Sequence, residues 1–216
     1  MTTILVMAKA PVAGRVKTRL CPPFTLRQAA DLALAALLDT LDAVLAAPAE
    51  RRVLVLEGPP GPWLPPGIEV LPQQGAGLDD RIANALAWST GPVLLIGMDT
   101  PQVTDRQLTV RWDRDAWFGP AADGGFWALG LREPDPDLVR GVPMSREDTG
   151  RLQLRRLTEA GLRVGALPEL RDIDTAADAA AVASAAPHSR FAVAHAAALP
   201  APSPTAASGR ETAGVH

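Results

Sequence analysis

The residues Val93–Pro101, with the sequence VLLIGMDTP, decide which fold this chain is predicted to adopt. Val93–Ile96 is apolar without alternation, which is typical of a strand buried on both faces of a parallel sheet. Gly97 permits a turn, and Pro101 ends the strand because proline has no N–H and restricts the residue before it. The stretch therefore predicts a central strand that carries the carboxylate of Asp99 to its carboxyl end, where open α/β sheets bind ligands.

Apolar runs and helical stripes alternate along the rest of the chain. Ile4–Met7 predicts a first short buried strand, and Thr25 is expected to cap a helix that runs to about Ala47. The alternation continues through strands, Pro/Gly loops and helices as far as a last helix opened by Thr175. This pattern predicts one α/β domain over residues 1–185, with a mostly parallel central sheet flanked by helices.

Composition limits the classes of function, and it also indicates a separate C-terminal tail. Residues 186–216 are rich in alanine, proline and serine, and we expect them to be disordered and to contribute no core. The net charge of −3 predicts neither a nucleic-acid partner nor a membrane surface. A single cysteine, Cys21, excludes an internal disulfide framework. No signal peptide or membrane span is recognised, so we expect a cytoplasmic protein, of undetermined oligomeric state.

A basic loop follows the first predicted strand and holds four cations within eleven positions. They are Lys9, Arg15, Lys17 and Arg19. Such a group suits the phosphates of a nucleotide, which arginine grips bidentately and lysine contacts as a point charge. A solvated basic loop is the alternative. A Walker A loop is excluded because Val16 stands where that motif requires the glycine directly before its lysine.

Carboxylates supply the other candidate ligands. Asp99 suits Mg²⁺, a hard cation that prefers oxygen donors, or alternatively caps the helix that follows. Within Arg171–Thr175, Asp172 and Asp174 alternate and so point to one side of an extended segment. They could complete a metal site with Asp99 or cap the last helix. Asp123–Gly125 is foremost a turn signal, but its two glycines also allow close approach to a ligand.

Four of these segments, in this order and spacing, resemble a bacterial family of GT-A-like transferases. They are AKAPVAGRVKTRL (8–20), GMDTP (97–101), GPAADGGFWALGL (119–131) and DIDTAAD (172–178). The family is described as glycosyltransferases or nucleotide-diphospho-sugar transferases, sometimes as selenodomain-associated transferases, and is related to nucleotidyltransferases of the molybdenum-cofactor kind. The resemblance implies a single Rossmann-like GT-A domain that binds a nucleotide donor and Mg²⁺ or Mn²⁺.

Carried over by position, the resemblance implies a role for each motif. Donor phosphates would be held by Lys9, Gly14, Arg15, Lys17 and Arg19. The metal would be bound by Asp99 and Asp174. The acceptor side would be lined by Asp123, Gly124 and Gly125, and Lys17 and Asp123 would act in catalysis.

These roles predict a Mg²⁺-dependent transferase with a nucleotide donor and a small acceptor. In a nucleotidyl version the acceptor attacks the α-phosphate of an NTP, and in a glycosyl version it attacks sugar C1. The basic loop favours the first version and the family description the second. A nucleotide-binding protein without turnover is the alternative, because Pro143–Ser145 replaces a Trp-Ser-Thr element and Phe126 replaces a common tyrosine.

Overall fold

A computed structural model describes residues 2–199 of the chain. One sheet contains the strands β1 (Thr3–Lys9), β2 (Arg51–Glu57), β3 (Glu69–Pro72), β4 (Val93–Gly97), β5 (Ala116–Pro120), β6 (Phe126–Leu131) and β7 (Val164–Ala166). The α-helices are α1 (Leu26–Ala46), α2 (Leu78–Trp88), α3 (Asp105–Leu108), α4 (Thr149–Glu159), α5 (Ala176–Ala185) and α6 (Arg190–Ala198). Short 3₁₀ turns lie at Thr18–Leu20 and Pro136–Leu138.

The sheet is mostly parallel, and its strand order is β3-β2-β1-β4-β6-β5-β7. β6 alone among these seven strands runs against its neighbours β4 and β5. The carboxyl ends of the other six strands consequently meet at one side of the sheet, which we call the carboxyl edge. The predicted α/β fold with a mostly parallel sheet is confirmed, and Val93–Gly97 is its central strand.

Local sequence explains how the first long helix begins. Thr25 accepts a hydrogen bond from the backbone N–H of Gln28 at 3.2 Å, and Gln28 accepts one from the Thr25 N–H at 2.8 Å. This reciprocal capping box satisfies two of the N–H groups that a helix start leaves unpaired. The cap predicted at Thr25 is therefore confirmed, as is the helix start predicted at Thr175, and Thr104 forms the same kind of box at α3.

The two faces of the sheet bury separate apolar layers. Side chains of alternate strand residues such as Val6 and Ile96 pack with α1 on one face. Their neighbours Leu5 and Leu95 pack with α2 on the other face. Because strands with both faces covered need apolar side chains at every position, the unbroken apolar run of β4 is explained.

A third apolar layer, the C-terminal core, lies at the side of α1. It combines Leu20 of the basic loop and Phe24, just before α1, with Ile173, with Val182 of α5 and with Phe191 of α6. Phe191 is fully buried. The basic loop and the segment around Ile173 are thus held by the same set of contacts.

The expectation that residues 186–216 contribute no core is wrong for the described part of that segment. Residues 190–198 form α6, and Asp39 of α1 accepts hydrogen bonds from the N–H groups of Arg190 at 3.0 Å and Phe191 at 2.8 Å. Ser189 is the N-cap of this helix and accepts from the Ala192 N–H at 3.0 Å, and the distant carboxylate of Asp39 adds two further contacts at the helix start. Residues 200–216 lie outside the described residues. In the described part of the chain, no helix combines the length and apolarity that crossing a membrane requires; the cytoplasmic location stays a prediction.

Candidate active site

The carboxyl end of β4 places Asp99 against a lysine from the basic loop. The ammonium group of Lys17 donates to Asp99 Oδ2 at 2.6 Å and to Asp174 Oδ1 at 3.1 Å. Only 11% of the Lys17 side chain is exposed. Three predicted site residues from distant parts of the sequence therefore meet in one partly buried group.

Backbone contacts hold the Asp172–Asp174 segment beside β4. The N–H of Ile173 donates to the carbonyl of Asp99 at 3.1 Å, and the Ile173 side chain is buried in the C-terminal core. Asp172 and Asp174 flank this anchor, and both turn towards Asp99. One carboxylate oxygen from each of the three aspartates lies within 4.8 Å of the other two. We call Asp99, Asp172 and Asp174 the acidic cluster.

Electrostatics in the acidic cluster distinguish its members. The pKa of Asp172 is raised from 3.8 to about 7, because partial burial disfavours the charged form and the charges of Asp99 and Asp123 add repulsion. Burial also acts to lower the pKa of Lys17, but Asp99 and Asp174 outweigh it, and the pKa is raised. Lys17 thus stays protonated and supplies one positive charge against three carboxyl groups.

The chemistry of the acidic cluster fits a divalent metal. Three carboxylates are the hard oxygen donors that Mg²⁺ and Mn²⁺ prefer, and their mutual repulsion would be relieved by such a cation. Asp99 and Asp174 are the ligands implied by the family resemblance. Asp172 was marked by its alternation with Asp174, but the resemblance did not assign it. The structure brings it into the same group.

The other members of the basic loop lie in different surroundings. Arg19 donates to Asp174 Oδ2 at 3.2 Å from a largely exposed position. Arg15 is exposed and forms no ion pair within residues 2–199. Gly14 has φ +78, a left-handed conformation that favours glycine, and it lets the loop turn back towards the sheet. The loop therefore presents exposed guanidinium groups around a single shielded ammonium.

Lys9 belongs to a second charged group, the β1–β3 network, at the ends of the first three strands. Its ammonium lies 3.5 Å from Glu57 Oε2, and Arg81 of α2 also pairs with Glu57. The side chain of Gln73 donates to the carbonyls of Ala8 at 2.9 Å and Val55 at 3.0 Å. Partial burial acts to raise the pKa of Glu57, but Arg81 and Lys9 lower it overall.

Sequence reasoning missed Glu57, Gln73 and Arg81. A usable signal existed, because Glu57 ends β2 and Gln73 directly follows β3. Applying the strand-end argument used for Asp99 to every parallel strand would have found both residues.

The Asp123–Gly125 segment is the turn between β5 and β6, as its composition indicated. Asp123 Oδ1 accepts from the Gly125 N–H at 2.8 Å, which closes the turn locally. Gly124 has φ +89, and a Cβ there would lie 2.0 Å from the carbonyl oxygen of Glu147. The Gly150 N–H donates to the Gly124 carbonyl at 2.8 Å, and a Cβ at Gly150 would lie 2.3 Å from Gly125 O. The turn is therefore docked backbone-to-backbone on the start of α4.

Comparison with known families adds to this geometry. The model of a family described as "Uncharacterized protein conserved in bacteria (DUF2064)" matches residues 28–146, more than half of the 216-residue chain. The chain belongs to this family. Functionally curated proteins provide no match to this DUF2064 chain.

Solved structures share the fold of the DUF2064 chain. One, provisionally described as a nucleotide-diphospho-sugar transferase from Desulfovibrio desulfuricans G20, has 27% identity and a TM-score of 0.80 over 90% of this chain and 92% of that one. Another is CMP:2-keto-3-deoxy-manno-octonic acid synthetase complexed with CTP, with 12% identity and a TM-score of 0.52 over 85% of this chain and 97% of that one. The fold expected from the resemblance is confirmed; the selenodomain and molybdenum-cofactor relationships stay predictions.

Proposed function

We propose that this protein is a divalent-metal-dependent transferase that takes a nucleotide donor, either a nucleotide-sugar or an NTP, and transfers a glycosyl or nucleotidyl group to a small acceptor. One observation carries the proposal. The acidic cluster and the basic loop, which lie far apart in the sequence, converge at the carboxyl edge of an α/β sheet. Carboxylates for a metal beside cations for phosphates are the parts that phosphoryl and nucleotide chemistry needs.

Each group of residues has a distinct role in this proposal. Asp99, Asp172 and Asp174 would hold Mg²⁺ or Mn²⁺, which supplies Lewis-acid stabilisation of phosphate charge when bound. The exposed guanidinium groups of Arg15 and Arg19 would bind donor phosphates bidentately. The residues thereby position the donor and neutralise its charge, without forming a covalent intermediate.

The acceptor would bind at the β5–β6 turn. Asp123 keeps Oδ2 available while Oδ1 accepts from Gly125, so the carboxylate could accept a hydrogen bond from an acceptor hydroxyl. Its negative charge is close enough to Asp172 to raise the pKa of that group. A proton released by the acceptor would therefore have carboxylates nearby, which supports a role for Asp123 in catalysis.

Two versions of the transfer are each supported by a different observation. The likeness to the Desulfovibrio structure at 27% identity supports a nucleotide-sugar donor. The basic loop supports an NTP, because a triphosphate carries more charge for Lys9, Arg15, Lys17 and Arg19 to neutralise. Binding and product analysis separate them.

The first experiment measures melting temperature with Mg²⁺, each of the four NTPs and a panel of nucleotide-sugars. Stabilisation by NTPs alone would support nucleotidyl transfer, and stabilisation by nucleotide-sugars alone would support glycosyl transfer. Release of pyrophosphate or of a nucleoside diphosphate on addition of acceptors would distinguish an enzyme from a binding protein. Indifference to every nucleotide would refute the proposal.

A matched pair of variants tests the metal role. Asp99→Asn should abolish Mg²⁺-dependent stabilisation by nucleotide, since it removes one of three charged ligands. Asp31→Asn, an exposed carboxylate on α1, should leave it unchanged. Equal Mg²⁺ dependence in both variants would show that Asp99 is structural.

A further inference from the structure

We propose that Lys17 is an internal counter-cation of the acidic cluster, which a divalent metal must displace and which an incoming polyanion draws away. The proposal rests on the metal and nucleotide site proposed above and adds a coupling between its two ligands. Metal and polyanion would then bind cooperatively, because each removes an obstacle to the other.

The first support is geometric. The Lys17 ammonium lies within hydrogen-bond distance of Asp99 and Asp174, two of the three carboxylates that could hold a metal. A cation bound by the whole cluster would lie within a few ångströms of this ammonium. Two positive charges so close in a shielded place repel strongly. Lys17 and the metal therefore compete for the same carboxylates.

The second support is the backbone of the basic loop. Lys17 has φ 49 and ψ 37, a left-handed conformation that non-glycine residues seldom adopt. Leu20, three residues later, is fully buried in the C-terminal core. Leu20 thus anchors the loop just after Lys17, while Lys17 itself is held in an unfavourable backbone conformation. Such strain persists only where the surroundings enforce it, and it commonly marks functional positions.

The third support is the contrast between Lys17 and its neighbours. Arg19 also contacts Asp174, but its side chain is 74% exposed. Arg15 is exposed and has no ion-pair partner among residues 2–199. A polyanion would meet these two arginines first, and its oxygens would then offer Lys17 partners other than the aspartates. Withdrawal of Lys17 would free Asp99 and Asp174 for the metal.

Mn²⁺ alone is the probe for the first test, with free Mn²⁺ measured by electron paramagnetic resonance. Lys17→Met should bind Mn²⁺ about tenfold more tightly than the wild type, since the competing charge is gone. Lys17→Arg keeps the charge and should bind no more tightly than the wild type. Arg19→Met is the matched control for removing a nearby cation, and it should change the affinity less than threefold.

Unchanged or weaker Mn²⁺ binding by Lys17→Met would overturn the proposal, as would equal tightening by Arg19→Met. This result is independent of nucleotide binding. If Lys17→Met binds Mn²⁺ more tightly but the protein binds no nucleotide, the counter-cation role of Lys17 is supported and the proposed function is refuted. If the protein binds nucleotides but Lys17→Met binds Mn²⁺ no more tightly, only the counter-cation role is refuted.

Tripolyphosphate in the presence of EDTA tests the other half of the coupling by calorimetry. Asp99→Asn releases Lys17 from its shorter contact and should tighten tripolyphosphate binding at least threefold. Asp172→Asn removes a carboxyl group that Lys17 does not contact, and at pH 8 it should tighten binding less. Equal effects of the two variants would show that only net charge matters and would overturn the coupling.

Discussion

Two charged groups lie at the same carboxyl edge, and each contains one of the two lysines of the chain. In the acidic cluster, Lys17 is 2.6 Å from Asp99 and its side chain is only 11% exposed. In the β1–β3 network, Lys9 is 3.5 Å from Glu57 and its side chain is 55% exposed. The first ammonium is enclosed by acids, whereas the second remains open to solvent.

The difference shows that the environment of each cation, and not its position in the basic loop alone, determines how strongly it is held. Behind Lys17 lies the C-terminal core, which fixes Leu20 and Ile173 and so brings the loop onto the aspartates. Behind Lys9 lies Glu57, which already has Arg81 as a partner. Lys9 can therefore turn to a ligand at little cost, while Lys17 must exchange strong contacts.

Phe191→Ala should show the largest difference between the acidic cluster and the β1–β3 network. Loss of a fully buried phenylalanine from the C-terminal core should cost about 3 kcal/mol of unfolding free energy. Amide hydrogen exchange should accelerate at residues 17–21 and 171–175, which that core holds, and much less around Lys9. Equal acceleration in both regions would mean that α6 stabilises the protein without favouring the acidic cluster.

Lys17→Met and Lys9→Met compare the lysines directly by urea denaturation. Lys17→Met should cost about 2 kcal/mol, because it leaves two partly buried carboxylates facing each other without a counter-charge. Lys9→Met should cost less than about 0.5 kcal/mol, since its ion pair is solvent-screened. Similar costs would contradict the contrast drawn from burial.

Asp172→Asn should alter the pH dependence of stability, measured in EDTA. The pKa of Asp172 is about 7 in the folded protein and near 4 in an unfolded chain, so the folded state binds more protons between these values. The contribution of Asp172 to the stability of the wild type should therefore fall as pH rises from about 4 to 7. The variant should be more stable by about 1 kcal/mol at pH 8, after discounting for solvent screening, and similar at pH 4. The same benefit at both pH values would exclude titration as the cause.

Glu57→Gln should have the smallest effect, about 0.5 kcal/mol or less, because its partners Lys9 and Arg81 are both accessible to solvent. Tripolyphosphate binding should become slightly tighter as Lys9 loses its internal partner. Calorimetry at two salt concentrations checks this, since the gain should shrink as salt screens the charges. A loss of affinity would show that Glu57 positions Lys9 for the ligand.

The residues that the sequence located correctly are those that local rules determine. An apolar run ended by Gly97 and Pro101 placed Asp99 at a strand end, and alternation placed Asp172 and Asp174 on one side. A strand's apolar pattern and the two-residue period of side chains are properties of the local backbone, so they are visible in a single sequence.

The parts that could not be predicted depend on distant partners. Ser189 caps α6 locally, but the contacts of α6 with Asp39 come from about 150 residues away in the sequence, and the alanine-rich composition alone therefore predicted a tail. Lys17 and Lys9 look alike in the sequence, since burial depends on the folding of residues far away. The family resemblance implied phosphate binding for both, which stays a prediction, and the structure adds that Lys17 contacts two of the aspartates.

The backbone contact between the β5–β6 turn and the start of α4 has a consequence for protein engineering. Gly124 and Gly150 leave no room for a Cβ, so the turn and residues 147–150 form one interlocked module. A turn transplanted from a relative to test the proposed acceptor role would need its own helix start as well. Exchange of both segments together preserves these backbone contacts. Exchange of the turn alone would place its backbone against a helix start that does not fit it.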